Sequence, residues 1–209
     1  MQRLQQGRTL TRFRISEYSQ QVPELLKECY KHEVTQRGRS FIDDEATNYA
    51  IRKVSWWLTD PSARAGLMLS GTPGNGKSTM ARSIRSLIDI IAPSPQSFSN
   101  PRTRSVSALE LADIVKAEDF DRMGALKRVE CLFIDDVGCE AASVKVWGNE
   151  ISPLVDLLYY RYDALRFTVI TSNLERGQIY DRYGARIEDR FMEMFSWLDY
   201  NAPSYRRIR

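Results

Sequence analysis

One run limits this chain more than any other: Gly71-Thr72-Pro73-Gly74-Asn75-Gly76-Lys77-Ser78. The apolar residues 65–70 before it read as a short strand, and 77–90 after it read as a helix. Glycines at 74 and 76 let the backbone take positive φ and approach a ligand closely. Successive N–H groups and the helix N-terminus then form an anion nest. In the spacing G-x-x-x-x-G-K-[ST], the lysine reaches the β- and γ-phosphates and the hydroxyl ligates Mg²⁺. Gly71, Thr72, Pro73, Gly74, Asn75, Gly76, Lys77, Ser78 and Thr79 are therefore the expected nucleotide-binding residues, with Ser78 also on the metal.

The rest of the chain alternates strand and helix. Strands are expected at 65–70, near 105–107, at 130–134, at 167–171 and near 197–199. Helices are expected at 77–90, from 108, around 150–164 and over 176–194. Continuous apolar strands separated by helices indicate an α/β fold with a parallel sheet covered on both faces. Ahead of it, Val22, Leu25, Leu26, Cys29 and Tyr30 fall at helical spacing and predict one amphipathic helix over 21–34. A polar stretch, 35–40, reads as a linker or turn, and a second helix is expected over 44–58. The expected division is a basic N-terminal extension, 1–39, and a nucleotide-binding domain, 40–209.

Composition narrows the chemistry. With 209 residues, 43% of them hydrophobic and 27% charged, the chain has ordinary globular composition. A net charge of +3 admits a polyanionic partner without requiring one. The single histidine, His32, excludes a His-based triad or zinc cluster and is expected on the solvent side of the first helix. Cys29, Cys131 and Cys139 lack metal-ligand spacing. Cys131 and Cys139 read as core or near-core thiols of a reduced, cytoplasmic protein. Residues 1–16 carry Arg3, Arg8, Arg12 and Arg14 and no apolar run, so they are no secretory signal. No stretch approaches a membrane span.

Two more strand ends carry polar residues. Asp135-Asp136 closes the apolar run Cys131-Leu132-Phe133-Ile134. A carboxylate there holds Mg²⁺, which makes Asp135 a candidate metal residue, and the next acid, Asp136, polarises the attacking water. The alternative is turn chemistry. Thr171-Ser172-Asn173 follows the strand at 167–171. Active sites form at the carboxyl ends of such strands, where Asn173 can bridge γ-phosphate and water. Its alternative role is to cap a helix starting at Leu174.

These three elements together resemble the AAA+ ATPases. Leu132-Phe133-Ile134-Asp135-Asp136-Val137-Gly138-Cys139-Glu140 is similar to the h-h-h-D-D-h-G-x-E segment of the DnaC-like helicase loaders and the related IstB transposition helpers. Arg161-Tyr162-Asp163, Thr171-Ser172-Asn173-Leu174, Gly184-Ala185-Arg186-Ile187-Glu188-Asp189-Arg190-Phe191 and Pro203-Ser204-Tyr205-Arg206 continue the likeness in order. The resemblance implies a P-loop NTPase of AAA+ type, with a five-stranded parallel sheet flanked by helices. Residues 174–209 are too few for the helical lid of clamp loaders and initiators, so no lid is expected. It further implies a homo-oligomeric ATPase that takes ATP and Mg²⁺. Asp136 would be its catalytic acid, Asn173 its first sensor and Arg206 its second sensor. Arg190 would be an arginine finger acting on the neighbouring subunit's ATP. Most AAA+ proteins have Glu where Asp136 stands, so hydrolysis is expected to be slow, and stimulated by oligomerisation or DNA. Ala202 replaces a glycine of that branch.

Other residues carry weaker signals. Phe41 and Ile42 precede the sheet where this class holds adenine, with ordinary core packing as the alternative. Arg186 and Arg190 can also be a surface pair at helical spacing with Glu188 and Asp189 interleaved. Lys116, Arg122, Lys127 and Arg128 read either as a solvated face or as a DNA contact, and the N-terminal arginines either as a DNA contact or as a disordered tail. The leading expectation is loading of a replicative helicase on single-stranded DNA, with the helix at 21–34 as a partner-binding element. The alternative is an IstB-like helper that binds duplex DNA and recruits a transposase. A third is a nucleotide-dependent binding module with negligible turnover.

Overall fold

The computed structural model describes residues 13–16, 19–91, 102–200 and 204–207. Arg3, Arg8, Arg12, Ala202, Pro203 and the Arg186 side chain fall outside what it describes. Two helices open the chain, α1 (Val22–Thr35) and α2 (Glu45–Thr59). The alternating part follows as β1 (Gly66–Gly71), α3 (Lys77–Ile91), β2 (Thr103–Ser107), α4 (Ala108–Lys116), α5 (Phe120–Arg128) and β3 (Cys131–Val137). A hairpin, β4 (Val144–Val146) and β5 (Asn149–Ile151), then leads into α6 (Pro153–Asp163) and β6 (Phe167–Ser172). The last elements are α7 (Arg176–Tyr183), α8 (Ala185–Met194), β7 (Phe195–Tyr200) and a 3₁₀ turn, Tyr205–Arg207.

The five long strands pair in the order β2-β3-β6-β1-β7, and every pairing is parallel. This is the expected five-stranded sheet, and among the described residues no helical domain follows β7. Side chains alternate across the sheet as the strand period requires. Leu67 and Leu69 face one core with α1, α2 and α3, while Met68 faces the other with α4 to α8. β1 and β6 are buried along almost their whole length, which explains the apolar runs Leu67-Met68-Leu69 and Val169-Ile170.

α1 packs on α3 and contributes Val22, Leu26, Cys29 and Tyr30 to the same core as β1. Residues 13–16 run across the opposite edge of the sheet from the P-loop. There the Ile15 N–H donates to the Leu58 carbonyl at 2.9 Å, and Phe13 meets Phe167 edge-on at 5.4 Å. On the other side Arg161 of α6 is fully buried. It donates to the carbonyls of Leu126 (2.9 Å), Val129 (2.8 Å) and Phe167 (2.6 Å) and to the Thr168 hydroxyl (2.9 Å). That guanidinium ties the end of α5 to the start of β6.

The structure departs from the sequence reading in places. Cys139 is exposed, not a core thiol, because Gly138 (φ 101°) turns the chain outward after β3; Cys131 and Cys29 are buried. The hairpin and α5 have no counterpart in the sequence reading. Pro153 starts α6 later than expected, and Gly184 (φ 87°) divides the 176–194 helix in two.

Candidate nucleotide-binding site

β1 delivers the chain into the Gly-rich loop at the carboxyl edge of the sheet, and α3 begins at Lys77. Gly71, Gly74 and Gly76 all have positive φ (134°, 87° and 103°). Close packing also demands glycine here. A Cβ on Gly71 would run into the Tyr200 carbonyl, one on Gly74 into Ser204, and one on Gly76 into the Tyr30 hydroxyl. Asn75, almost fully buried, pins the loop to β7 by donating to the Tyr200 carbonyl at 2.8 Å. The Lys77 ammonium donates to the carbonyls of Gly71 (2.7 Å) and Thr72 (2.8 Å) and to Asn75 Oδ1 (3.2 Å). Burial pushes its pKa down to about 8; Asp136 opposes that shift and Arg206 adds to it.

The neighbouring loops arrive because β6 lies between β1 and β3. Ser78 Oγ donates to Asp135 Oδ1 at 2.8 Å, and the Thr171 hydroxyl donates to the same oxygen. Asp136 follows in the left-handed region, φ 55°, with its N–H on Thr171 Oγ1 at 2.9 Å. This conformation exposes its carboxylate to the cleft. Asn173 is also exposed there. It does not cap α7: Glu175 is the N-cap, paired with Gln178 in a capping box.

These loops floor a cleft of about 1010 Å³. Phe41 and Ile42 line the cleft, and Tyr30 and Val34 join them. The Phe41 ring stands edge-on to Tyr30 at 6.2 Å and also packs against the core. Sequence reasoning missed the α1 residues. Their one signal was Tyr30 and Val34 at helical i, i+4 spacing on the apolar face. The cations Arg37 and Arg39, on the turn after α1, also reach the cleft.

The C-terminal turn closes the far side. The Tyr205 N–H donates to the Gly74 carbonyl at 2.9 Å, and its hydroxyl donates to Asp44 Oδ2 at 2.6 Å. Burial and that carboxylate raise the phenol pKa to about 12. Arg39 donates to the Tyr205 carbonyl at 3.0 Å. Arg206 is thereby held over the loop, with its stem beside Gly74.

Two acidic and basic candidates lie elsewhere. Arg190, on α8, does not line the cleft of its own chain. Its guanidinium stacks over Tyr159 (4.2 Å) and Tyr162 (5.1 Å) and lies 3.7 Å from Asp163, with 41% of the side chain exposed. Glu140 is buried, accepts the Gly138 N–H at 2.8 Å and is held by the Tyr183 hydroxyl, so it faces away from the phosphate loop. Of the basic surface residues, Arg122 pairs with Glu110 and Lys116 with Asp113. Among the described residues no three His, Cys, Asp or Glu side chains gather into a group that could hold a metal ion.

No protein-family model matches the chain, and no curated protein matches it in sequence. Solved structures match its fold. The DnaC helicase loader superposes with TM-score 0.58 at 20% identity, over 77% of this chain and 93% of that one. DnaI superposes with TM-score 0.61 at 20% identity, over 88% of this chain and 98% of that one. The replication initiator DnaA bound to AMPPCP and single-stranded DNA superposes with TM-score 0.58 at 18% identity, over 78% of this chain and 49% of that one. With its strand order and its Gly-rich loop, the chain has the AAA+ P-loop fold that these structures share.

Proposed function

We propose that the chain binds ATP with Mg²⁺ in this cleft and hydrolyses it as one subunit of a homo-oligomer. In this reading its work is in the cytoplasm, in DNA replication, where it loads a replicative helicase on single-stranded DNA. The observation that carries the nucleotide half is the Ser78–Asp135 contact at 2.8 Å beside the buried Lys77 ammonium. Two hard oxygen donors next to a phosphate nest are the ligand set that magnesium takes. Ser78 and Asp135 would hold the ion, whose charge would offset that of the phosphates.

Each residue then has a task. Backbone N–H groups of the loop and Lys77 hold the β- and γ-phosphates. The Asp136 carboxylate takes a proton from the attacking water, and Asn173 fixes that water's orientation. Arg206 meets negative charge from the Tyr205 side, and Phe41 with Tyr30 flanks the base. Arg190 is turned away from its own cleft, and in this reading it serves the neighbour's.

Support for the replication half is the fold shared with the DnaC helicase loader over 93% of that chain. Titration with a fluorescent ATP analogue tests the first half: Lys77→Ala is expected to abolish binding while its melting temperature is kept. Co-elution with the replicative helicase in ATP, and transfer of that helicase to a single-stranded circle, tests the second. Capture of a transposase instead would overturn it.

A further inference from the structure

Trp147 is 82% exposed, more than any other large apolar residue in the described chain. It sits at the tip of the β4–β5 hairpin, where Val146 pairs with Asn149 across a two-residue turn. Trp147 and Gly148 both have positive φ, 52° and 79°. Glycine takes that conformation without cost, but a bulky tryptophan does not. Strain and exposure thus fall on one residue.

The hairpin is nevertheless firmly based. Val144 is buried and packs beside α4, Ser152 Oγ donates to the Ala142 carbonyl at 2.6 Å, and Ser143 bonds to Glu150. The segment feeding it starts at Asp136 and is clamped by Glu140, through the Gly138 N–H and the Tyr183 hydroxyl.

Around Trp147 the surface is polar and nearly neutral: Lys145 stands opposite Glu150, with Asn149 beside them. A protein partner needs a broad patch, on the order of 800 Å² per side with occluding neighbours, which one side chain on a slender tip does not supply. A nucleic-acid base needs only one ring face. We infer that the β4–β5 hairpin is a contact for single-stranded DNA, with the Trp147 ring stacked on a base. This rests on the single-stranded DNA part of the proposed function and assigns it a residue. Because Lys145 and Glu150 offset each other, the contact works by stacking rather than by phosphate neutralisation.

The test is fluorescence anisotropy of a labelled oligothymidylate with the full chain and an ATP analogue, over a range of salt. Trp147→Ala is expected to weaken binding roughly 5- to 150-fold, the range for one lost base stack. The slope of log affinity against log salt should stay as in the parent, since no phosphate contact is removed. Trp147→Phe should keep most of the affinity but lose most of the quenching of intrinsic fluorescence by DNA. Parent-like affinity and quenching in both variants would overturn the hairpin assignment and leave the DNA reading standing. A parent chain that binds ATP but no oligonucleotide would overturn both. Trp147→Ala that keeps DNA but loses a protein partner would also overturn it, in favour of a protein knob.

Discussion

Asp136, the proposed catalytic acid, has an uncommon backbone conformation. At φ 55° the left-handed region tolerates Asp and Asn far better than longer side chains, which gives a local reason for Asp where most AAA+ proteins have Glu. Asp136→Asn keeps both the backbone preference and the size, so it should bind the nucleotide as the parent does. Steady-state phosphate release should fall roughly 10²–10⁴-fold, the contribution of a positioned general base. Equal turnover would remove Asp136 from that role. Arg161 makes a different point at the same scale. Its buried guanidinium is held by carbonyls with no carboxylate among its hydrogen-bond partners, and burial pushes its pKa down to about 9. Arg161→Met would strand several buried carbonyls and should cost at least about 3 kcal/mol in urea unfolding. A loss below about 1 kcal/mol would mean that water or a shift of α5 replaces it.

Among the elements, those bordering the phosphate loop were legible for a physical reason. β1, β3 and β6 carry apolar runs because both faces are covered, and Ser78, Asp135, Asp136 and Asn173 fall where those strands end. α1 was legible as a helix, but not its seat against α3, because an amphipathic face does not name what covers it. The hairpin was hidden because its strands have three residues each and its turn is Trp-Gly rather than Asn-Gly. Cys139 followed an apolar run, and only the turn at Gly138 takes it outward. The tether between α2 and the C-terminal turn was also invisible. Asp44 caps α2 by accepting the Thr47 N–H at 2.7 Å and holds Tyr205 as well. Burial opposes its charge, but the bonds from Tyr205 and Thr47 outweigh burial and leave its pKa below the ordinary value. A depressed acid stabilises the fold above the unfolded pKa, and that contribution is lost as pH falls through the folded one. Asp44→Ala should cost about 1 kcal/mol at neutral pH, and the gap in melting temperature should shrink on acidification below about pH 4. A gap that stays constant to pH 3 would remove the carboxylate from the tether.

For the whole molecule, the proposed homo-oligomer assigns Arg190, which does not line its own cleft, to the neighbour's site. An arginine supplied by a neighbour is worth roughly 10³–10⁵ in rate in related phosphoryl transfers. Arg190→Ala should therefore bind ATP nearly as the parent does yet turn it over poorly. Mixed with Lys77→Ala, it should regain part of the rate, because a mixed interface joins an intact finger to an intact loop. The recovered rate should rise with protein concentration. No recovery at any ratio would leave Arg190 as a stacked surface residue of α6 and α8.

The strand order also sets a timetable for synthesis. β1 is made early, but its two neighbours are β6 and β7: Gly66 waits for Thr168 on one side and Phe195 on the other. Every pairing of that strand is long-range, a topology that slows folding. On the ribosome, the first half of the chain exposes an unpaired apolar strand with two open edges until the last segment emerges. A nascent chain halted before residue 167 should thus be protease-sensitive around β1 and unable to retain ATP. Competence should wait for β6 and β7.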